Sequence, residues 1–212
     1  MKALIIGATG ATGKDLLNIL LNDASYSEVV ILVRRSTGII HPKLTEILTD
    51  FDKSEAVGDS IRGDILFSVL GTTLKDAGSK DKQWLIDYGI PFKLATIARR
   101  HGVSKIVLLS AYGASVISRV FYSRMKGELE EAIKKLGFPQ SIIFRPGLLL
   151  RKNTDRIGER ISAPVIRFLN AIGMIRKFRP MPTSILAEKL SKAPKILPDG
   201  THIIELDKIF NL

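Results

Sequence analysis

Tyr122 and Lys126, in Tyr122-Ser123-Arg124-Met125-Lys126, stand four residues apart, so on a helix both project from one face. That arrangement suits proton transfer. A phenol near its reference pKa of about 10 is a poor acid–base group at neutral pH, and an ammonium held beside it favours the phenolate. Ser110 closes the apolar run Leu108-Leu109-Ser110, where a hydroxyl is placed to hydrogen-bond a substrate carbonyl oxygen as negative charge develops. An ordinary strand-end or capping serine is the other reading. No Ser-His-Asp order competes with this set. The chain has no cysteine, which excludes thiolate catalysis, disulfides and zinc ribbons, and His41, His101 and His202 are scattered without ligand spacing. No metal site is expected, although carboxylate-bound Mg²⁺ stays open.

A second chemistry is written near the start. After the apolar run Ala3-Leu4-Ile5-Ile6 comes Gly7-Ala8-Thr9-Gly10-Ala11-Thr12-Gly13, with glycines at three-residue intervals and a helix-period segment following. The first glycine allows a tight turn, the second lets backbone approach a pyrophosphate, and the third lets helix pack on strand, while the helix N-terminal amides face the anion. Small residues at positions 8, 9, 11 and 12 keep the approach open. A Walker loop is ruled out, because Lys14 is followed by Asp15 and Ala8 occupies the upstream glycine position.

The elements that must hold these residues alternate. Continuous apolar runs at 3–6, 29–33, 65–70, 106–109 and 141–144 suit strands buried on both faces, with 45–49 a weaker strand. Helix periods lie between them near 11–22, 81–101 and 119–136, with a short helix at 54–61. This predicts an α/β fold with a doubly wound parallel sheet. After Pro146 the alternation stops. A helix over 157–172, an irregular loop, a helix over 184–192 and a strand over 202–206 complete the chain. At 212 residues, 45% hydrophobic and 25% charged, this reads as one domain over 1–212, of which about 147–212 forms a small substrate-side appendage or lid.

The spacing Gly7-x-x-Gly10-x-x-Gly13 resembles the short-chain dehydrogenase/reductase superfamily in its atypical and extended branches. More narrowly, the chain resembles the Tat-interacting-protein-like group over roughly residues 1–150, through the glycine loop, Val33-Arg34-Arg35, Asp50-Phe51, Leu70-Gly71-Thr72-Thr73, Asp87-Tyr88, Ser110, Tyr122 with Lys126-Gly127-Glu128, and Phe144-Arg145-Pro146-Gly147. The resemblance implies a Rossmann fold and a nicotinamide dinucleotide cofactor, with Ser110, Tyr122 and Lys126 catalytic and Lys126 also holding ribose hydroxyls. Asp50 and Phe51 would then lie against the adenine, Leu70 to Thr73 beside the cofactor's ribose, and Pro146-Gly147 against the nicotinamide. Where an NAD enzyme presents an acid to the ribose, this chain has Arg34 and Arg35, which suit a 2′-phosphate and favour NADPH over NADH. A pair of solvated arginines is the alternative. Ala111 departs from relatives that carry a second serine there, and the C-terminal part is short.

Thirty-two basic residues against 21 acidic give a net charge of +11, which points to anionic partners. Nine basic residues between 145 and 180 stand against only Asp155 and Glu159, and they read as a solvated flank around a pocket for a small substrate, anionic or neutral. A basic amphipathic helix at a membrane surface is less favoured, because Pro164, Pro180 and Pro182 break the face. Nucleic-acid binding lacks a motif. The longest uncharged stretch, 106–118, is too short to span a bilayer, and no secretory segment is seen, so a cytoplasmic protein, monomeric or homodimeric, is expected. The leading function is an NADPH-dependent oxidoreductase acting on a small carbonyl or alcohol. A weakly catalytic NADP(H) sensor and a nucleotide-sugar epimerase-like isomerase are the alternatives.

Overall fold

The computed structural model describes residues 1–51, 58–150 and 178–212. Seven strands, β1 (Lys2–Ile6), β2 (Glu28–Val33), β3 (Leu44–Leu48), β4 (Ile65–Ser68), β5 (Lys105–Leu109), β6 (Gln140–Arg145) and β9 (Gly200–Glu205), form one sheet in the order β3-β2-β1-β4-β5-β6-β9. Every neighbouring pair is parallel. The strand order reverses between β1 and β4, and at such a switch point the chains leaving the carboxyl ends part and open a crevice. A two-residue ladder, β7 (Leu149–Leu150) with β8 (Met181–Pro182), lies apart from the main sheet.

The strands are continuous apolar runs because both faces are covered. Ile5, Val29, Ile31, Phe67, Val107 and Phe144 face α1 (Ala11–Asn22) and α6 (Thr183–Ile196), while Leu4, Val30, Leu66, Ile106, Leu108 and Ile143 face α4 (Ile90–Arg100) and α5 (Phe121–Lys135). At the edge, β3 has no fully buried position, which explains its weaker sequence signal. Thr183 donates its hydroxyl to Asp15 at 2.7 Å, joining the start of α6 to α1. The described part of the expected C-terminal appendage thus returns to the main layers, with α6 covering the sheet and β9 extending it beside β6.

Two elements differ from the sequence pattern. The single helix expected over 81–101 is α3 (Lys80–Trp84), a wider π turn over Leu85–Gly89, and α4; a short α2 (Leu74–Ala77) precedes it. Pro91 has no N–H to give the carbonyl four residues back, and the Ile90 N–H bonds Leu85 five residues back, so the helix widens there. The expected strand over 65–70 stops at Ser68, freeing Val69 and Leu70 to turn into the crevice. The expected helix over 157–172, residues 54–57 of the expected 54–61 helix and most of the basic stretch lie outside the described residues, and 58–60 form a single tight turn.

Gly127 lets α5 approach the 111–120 loop. A Cβ there would lie 2.4 Å from the Ser115 carbonyl carbon and 2.6 Å from the Val116 nitrogen, both backbone atoms that cannot swing aside. Gly127→Ala should lower stability by about 1–3 kcal/mol in urea denaturation, the range for overpacking. An unchanged midpoint would mean that the loop is not braced by α5.

Candidate active site

The glycine loop divides its duties. Gly7 adopts φ +91°, and a Cβ on it would sit 2.5 Å from the Leu70 nitrogen; a Cβ on Gly13 would sit 2.0 Å from the Gly7 carbonyl oxygen. The fold itself demands both glycines. A Cβ on Gly10 would meet nothing closer than that same oxygen at 3.4 Å, an ordinary contact. Its smallness is therefore directed at the crevice, which Gly10, Ala11 and Thr12 line. Gly10 also caps α1 with no side-chain hydrogen bond, so the helix's first-turn amides carry no side-chain cap beside that opening.

On the far wall, α5 begins at Phe121 and carries Tyr122, Lys126 and Glu130 one turn apart. Tyr122 is 38% exposed at the mouth, whereas Lys126 and Glu130 are 3% and 1% exposed. The Lys126 Nζ lies 5.9 Å from the centre of the Tyr122 ring. Tyr122, Lys126, Ser110 and the glycine loop border one cleft, floored by Leu70, Gly71 and Thr72. The tyrosine and lysine expected from spacing do converge on the loop expected to cradle phosphate.

Burial sets the electrostatics. It pushes the Lys126 ammonium below its usual pKa, opposed by the negative charges of Asp87 and Glu130. Burial likewise pushes the Asp87 carboxyl up, opposed by Lys126, the Thr72 N–H and Gln83. Asp87 is fully buried; it accepts the Thr72 N–H at 2.8 Å and the Gln83 amide at 3.4 Å. Its Oδ1 would lie 3.3 Å from a Cβ on Gly71, so this carboxylate also holds the crevice floor in place. The π turn delivers Asp87, which sequence matching noted without a role.

Ser110 lines the cleft, but its hydroxyl donates to the Glu130 carboxylate. Arg145 grips that carboxylate, from Nε at 2.9 and 3.1 Å and from Nη2 at 2.5 Å, and reaches Glu205 on β9 at 2.7 Å. Arg145, counted from sequence with a solvated basic flank, is thus bonded to two carboxylates. Glu130 was missed; its position four residues beyond Lys126 was the available signal.

A second hollow opens on the other side of Leu70, lined by Arg34, Asp50, Phe51, Leu70, Ile86 and Ile90. Its apolar walls with one guanidinium fit a flat heterocycle and an anion at the rim. Arg35 is exposed next to Arg34. Glu46 on β3 steadies the loop after them, accepting the Ser36 hydroxyl at 2.7 Å and the Thr37 N–H at 3.1 Å. Other expected cofactor residues stand back: Thr9 faces a separate groove with Lys14 and Thr37, and Thr73 caps α2 by accepting the Asp76 N–H at 3.2 Å. Pro146 and Gly147 line neither hollow, since the Pro146 carbonyl accepts the Tyr112 N–H at 3.0 Å and Gly147 backs onto Leu206, while Leu149 reaches the cleft.

Residues 7–161 match the NAD(P)H-binding family. Relatives include the protein FMP52-1, mitochondrial, of Scheffersomyces stipitis, 34% identical over 175 residues that cover 80% of this chain and 77% of the relative. The protein FMP52, mitochondrial, of Saccharomyces cerevisiae is 34% identical over 158 residues, 73% and 68% of the two chains. Among solved structures, MoeE5 in complex with UDP-glucose and NAD superposes with TM-score 0.73 at 16% identity, over 97% of this chain and 76% of that one. A short-chain dehydrogenase/reductase superfamily protein from Agrobacterium tumefaciens with bound NAD gives 0.74 at 12% identity, over 97% and 77%. At such identities these likenesses speak to the fold. The relatives' mitochondrial names overturn the expectation of a cytoplasmic protein. Lack of cysteine and of a spanning apolar run suits any reducing compartment, so those features never distinguished the two.

Asp87 and Lys126 make a pH test of this geometry. A carboxyl whose folded pKa lies above its ordinary 3.8 binds protons more readily folded than unfolded, so its contribution to stability declines as pH rises from 3.8 through the folded value. Lys126 limits that rise. Lys126→Met keeps the volume and removes the charge, and should make stability fall more steeply as pH rises above 3.8 than in the parent when both are unfolded in urea. Parallel pH profiles would show that the two groups do not sense each other.

Proposed function

The chain belongs to the NAD(P)H-binding family and is similar to proteins named FMP52, mitochondrial, and from that premise we propose that it is an NADPH-dependent oxidoreductase of the atypical short-chain dehydrogenase type, acting on a small carbonyl or alcohol. The observation that carries this reading is the meeting of Tyr122 and Lys126 with the open face of Gly10 in one cleft. The narrower likeness to the Tat-interacting-protein-like group, and a substrate-side role for the chain beyond 147, belong to the same proposal.

The residues present fit a dinucleotide. The uncapped first turn of α1 beside Gly10 takes the pyrophosphate, the Asp50-Phe51 hollow takes the adenine, and Arg34 and Arg35 take the 2′-phosphate with charge-assisted hydrogen bonds. When bound, the nicotinamide supplies or accepts a hydride. The chain's own part is the proton. Tyr122 gives its phenolic proton to the carbonyl oxygen as charge develops there, or takes it from the alcohol in reverse. Lys126, whose positive charge Asp87 and Glu130 favour against the cost of burial, stabilises the phenolate that Tyr122 becomes.

Three measurements test the reading. Replacing both Arg34 and Arg35 with alanine should weaken NADPH by about 2 kcal/mol, roughly thirtyfold in Kd, and spare NADH. Equal losses for both cofactors, or a parent preference for NADH, would refute the 2′-phosphate assignment. Gly10→Ala should leave the urea midpoint within error yet weaken both cofactors, because its Cβ would meet the ligand and not the fold. With a reducible carbonyl in hand, Tyr122→Phe should keep cofactor affinity and lose about 10²-fold or more in turnover. Wild-type turnover in that variant would remove Tyr122 as the proton donor.

A further inference from the structure

Ser110 has one proton, and the structure shows where it goes. Its hydroxyl donates to Glu130 Oε1, while Arg145 holds both oxygens of that carboxylate in a partly buried ion pair. An arginine-paired carboxylate has no proton to give, so the serine is the donor in this bond. The backbone N–H of Ser110 is occupied as well, by the Phe144 carbonyl at 2.8 Å. Ser110 borders the cleft, and with its proton committed its hydroxyl can offer a ligand there only oxygen lone pairs.

That polarity decides which ligand suits the site. A bare carbonyl oxygen placed against Ser110 meets another acceptor, whereas a hydroxyl there finds a partner. In the oxidoreductase reading above, the reacting oxygen is served by Tyr122. We propose that Glu130 is a specificity-determining positioning residue, which commits the Ser110 proton and thereby selects carbonyl compounds bearing a hydroxyl on the neighbouring carbon, or the corresponding diols. This rests on the oxidoreductase reading above and names the substrate class for the same cleft. Arg145, itself bonded to Glu205, fixes the Glu130 carboxylate in place.

Glu130→Gln reverses the bond by a simple argument. Arg145 has only donors, so the glutamine must turn its carbonyl toward Arg145 and its NH₂ toward Ser110, which releases the serine proton to the cleft. The probes are 2-hydroxyacetophenone and acetophenone, compared as a ratio of kcat/KM within each protein so that intrinsic reactivity cancels between variants. The same ratio is read from Kd for the NADP⁺-bound protein by tryptophan fluorescence, since a ketone beside the oxidised cofactor cannot turn over. Glu130→Gln should reduce the preference for the hydroxyketone about tenfold, the size of one hydrogen bond. In a Ser110→Ala background the same substitution should leave the ratio unchanged, which a merely structural role for Glu130 would not produce.

Proton NMR of the ligand-free protein adds an independent readout. One slowly exchanging hydroxyl resonance should be present and vanish in Ser110→Ala. An unchanged ratio in Glu130→Gln, as when Lys126 or Tyr122 supplies the donor to Ser110, would overturn the proposal, and so would absence of the resonance. Failure of NADPH to bind would sink the oxidoreductase reading, while the resonance still judges the Ser110–Glu130 bond.

Discussion

Lys126 is all but sealed from water, and a cation so placed keeps its charge only where negative groups compensate for lost hydration. Asp87 arrives from the π turn below the crevice and Glu130 from the next turn of the same helix. Each carboxylate is held by further contacts. Asp87 takes the Thr72 N–H and so fixes the crevice floor, and Glu130 takes Ser110 and Arg145 and so reaches β5, β6 and, through Glu205, β9. The site is thus tied by charge to the carboxyl ends of several strands. Removing one member would leave a buried charge without compensation, a costlier change than loss of an exposed ion pair.

The glycine loop works by exclusion of atoms. Gly7 lets β1 turn against Leu70, Gly13 lets α1 settle onto Gly7, and both contacts are with backbone that cannot yield. Those two positions lock the loop to the chain leaving β4. Gly10 is then left facing the opening, held by its N–H to the Gly7 carbonyl at 3.0 Å. Rigid contacts behind and open space in front are what a preformed anion cradle requires, since the amides need not reorganise when a charge arrives.

Ser110 and Arg145 show how a residue's type underdetermines its role. A serine at the end of a central strand offers both a donor and an acceptor, and its neighbours decide which of the two faces the cleft. Here a buried carboxylate takes the donor. An arginine within a basic stretch has the composition of a solvated flank, yet this one sits at the end of β6 between Glu130 and Glu205.

The parallel sheet, the register of α1 and α5, the glycine loop and the Tyr122–Lys126 pair were legible in the sequence, because each is a local pattern: a run buried on both faces, a helical period, a spacing of three or four. The π turn was half legible, through Pro91, and β3 was faint because an edge strand needs only one covered face. What the tertiary structure alone decided is which groups meet: Asp87 and Glu130 around Lys126, Glu130 on Ser110, Arg145 on both Glu130 and Glu205. These partners come from elements up to 75 residues apart, as with Glu130 and Glu205. Periodicity records that a side chain is buried. Which charge it is buried against depends on how strands are ordered and where helices land, and no local pattern encodes that.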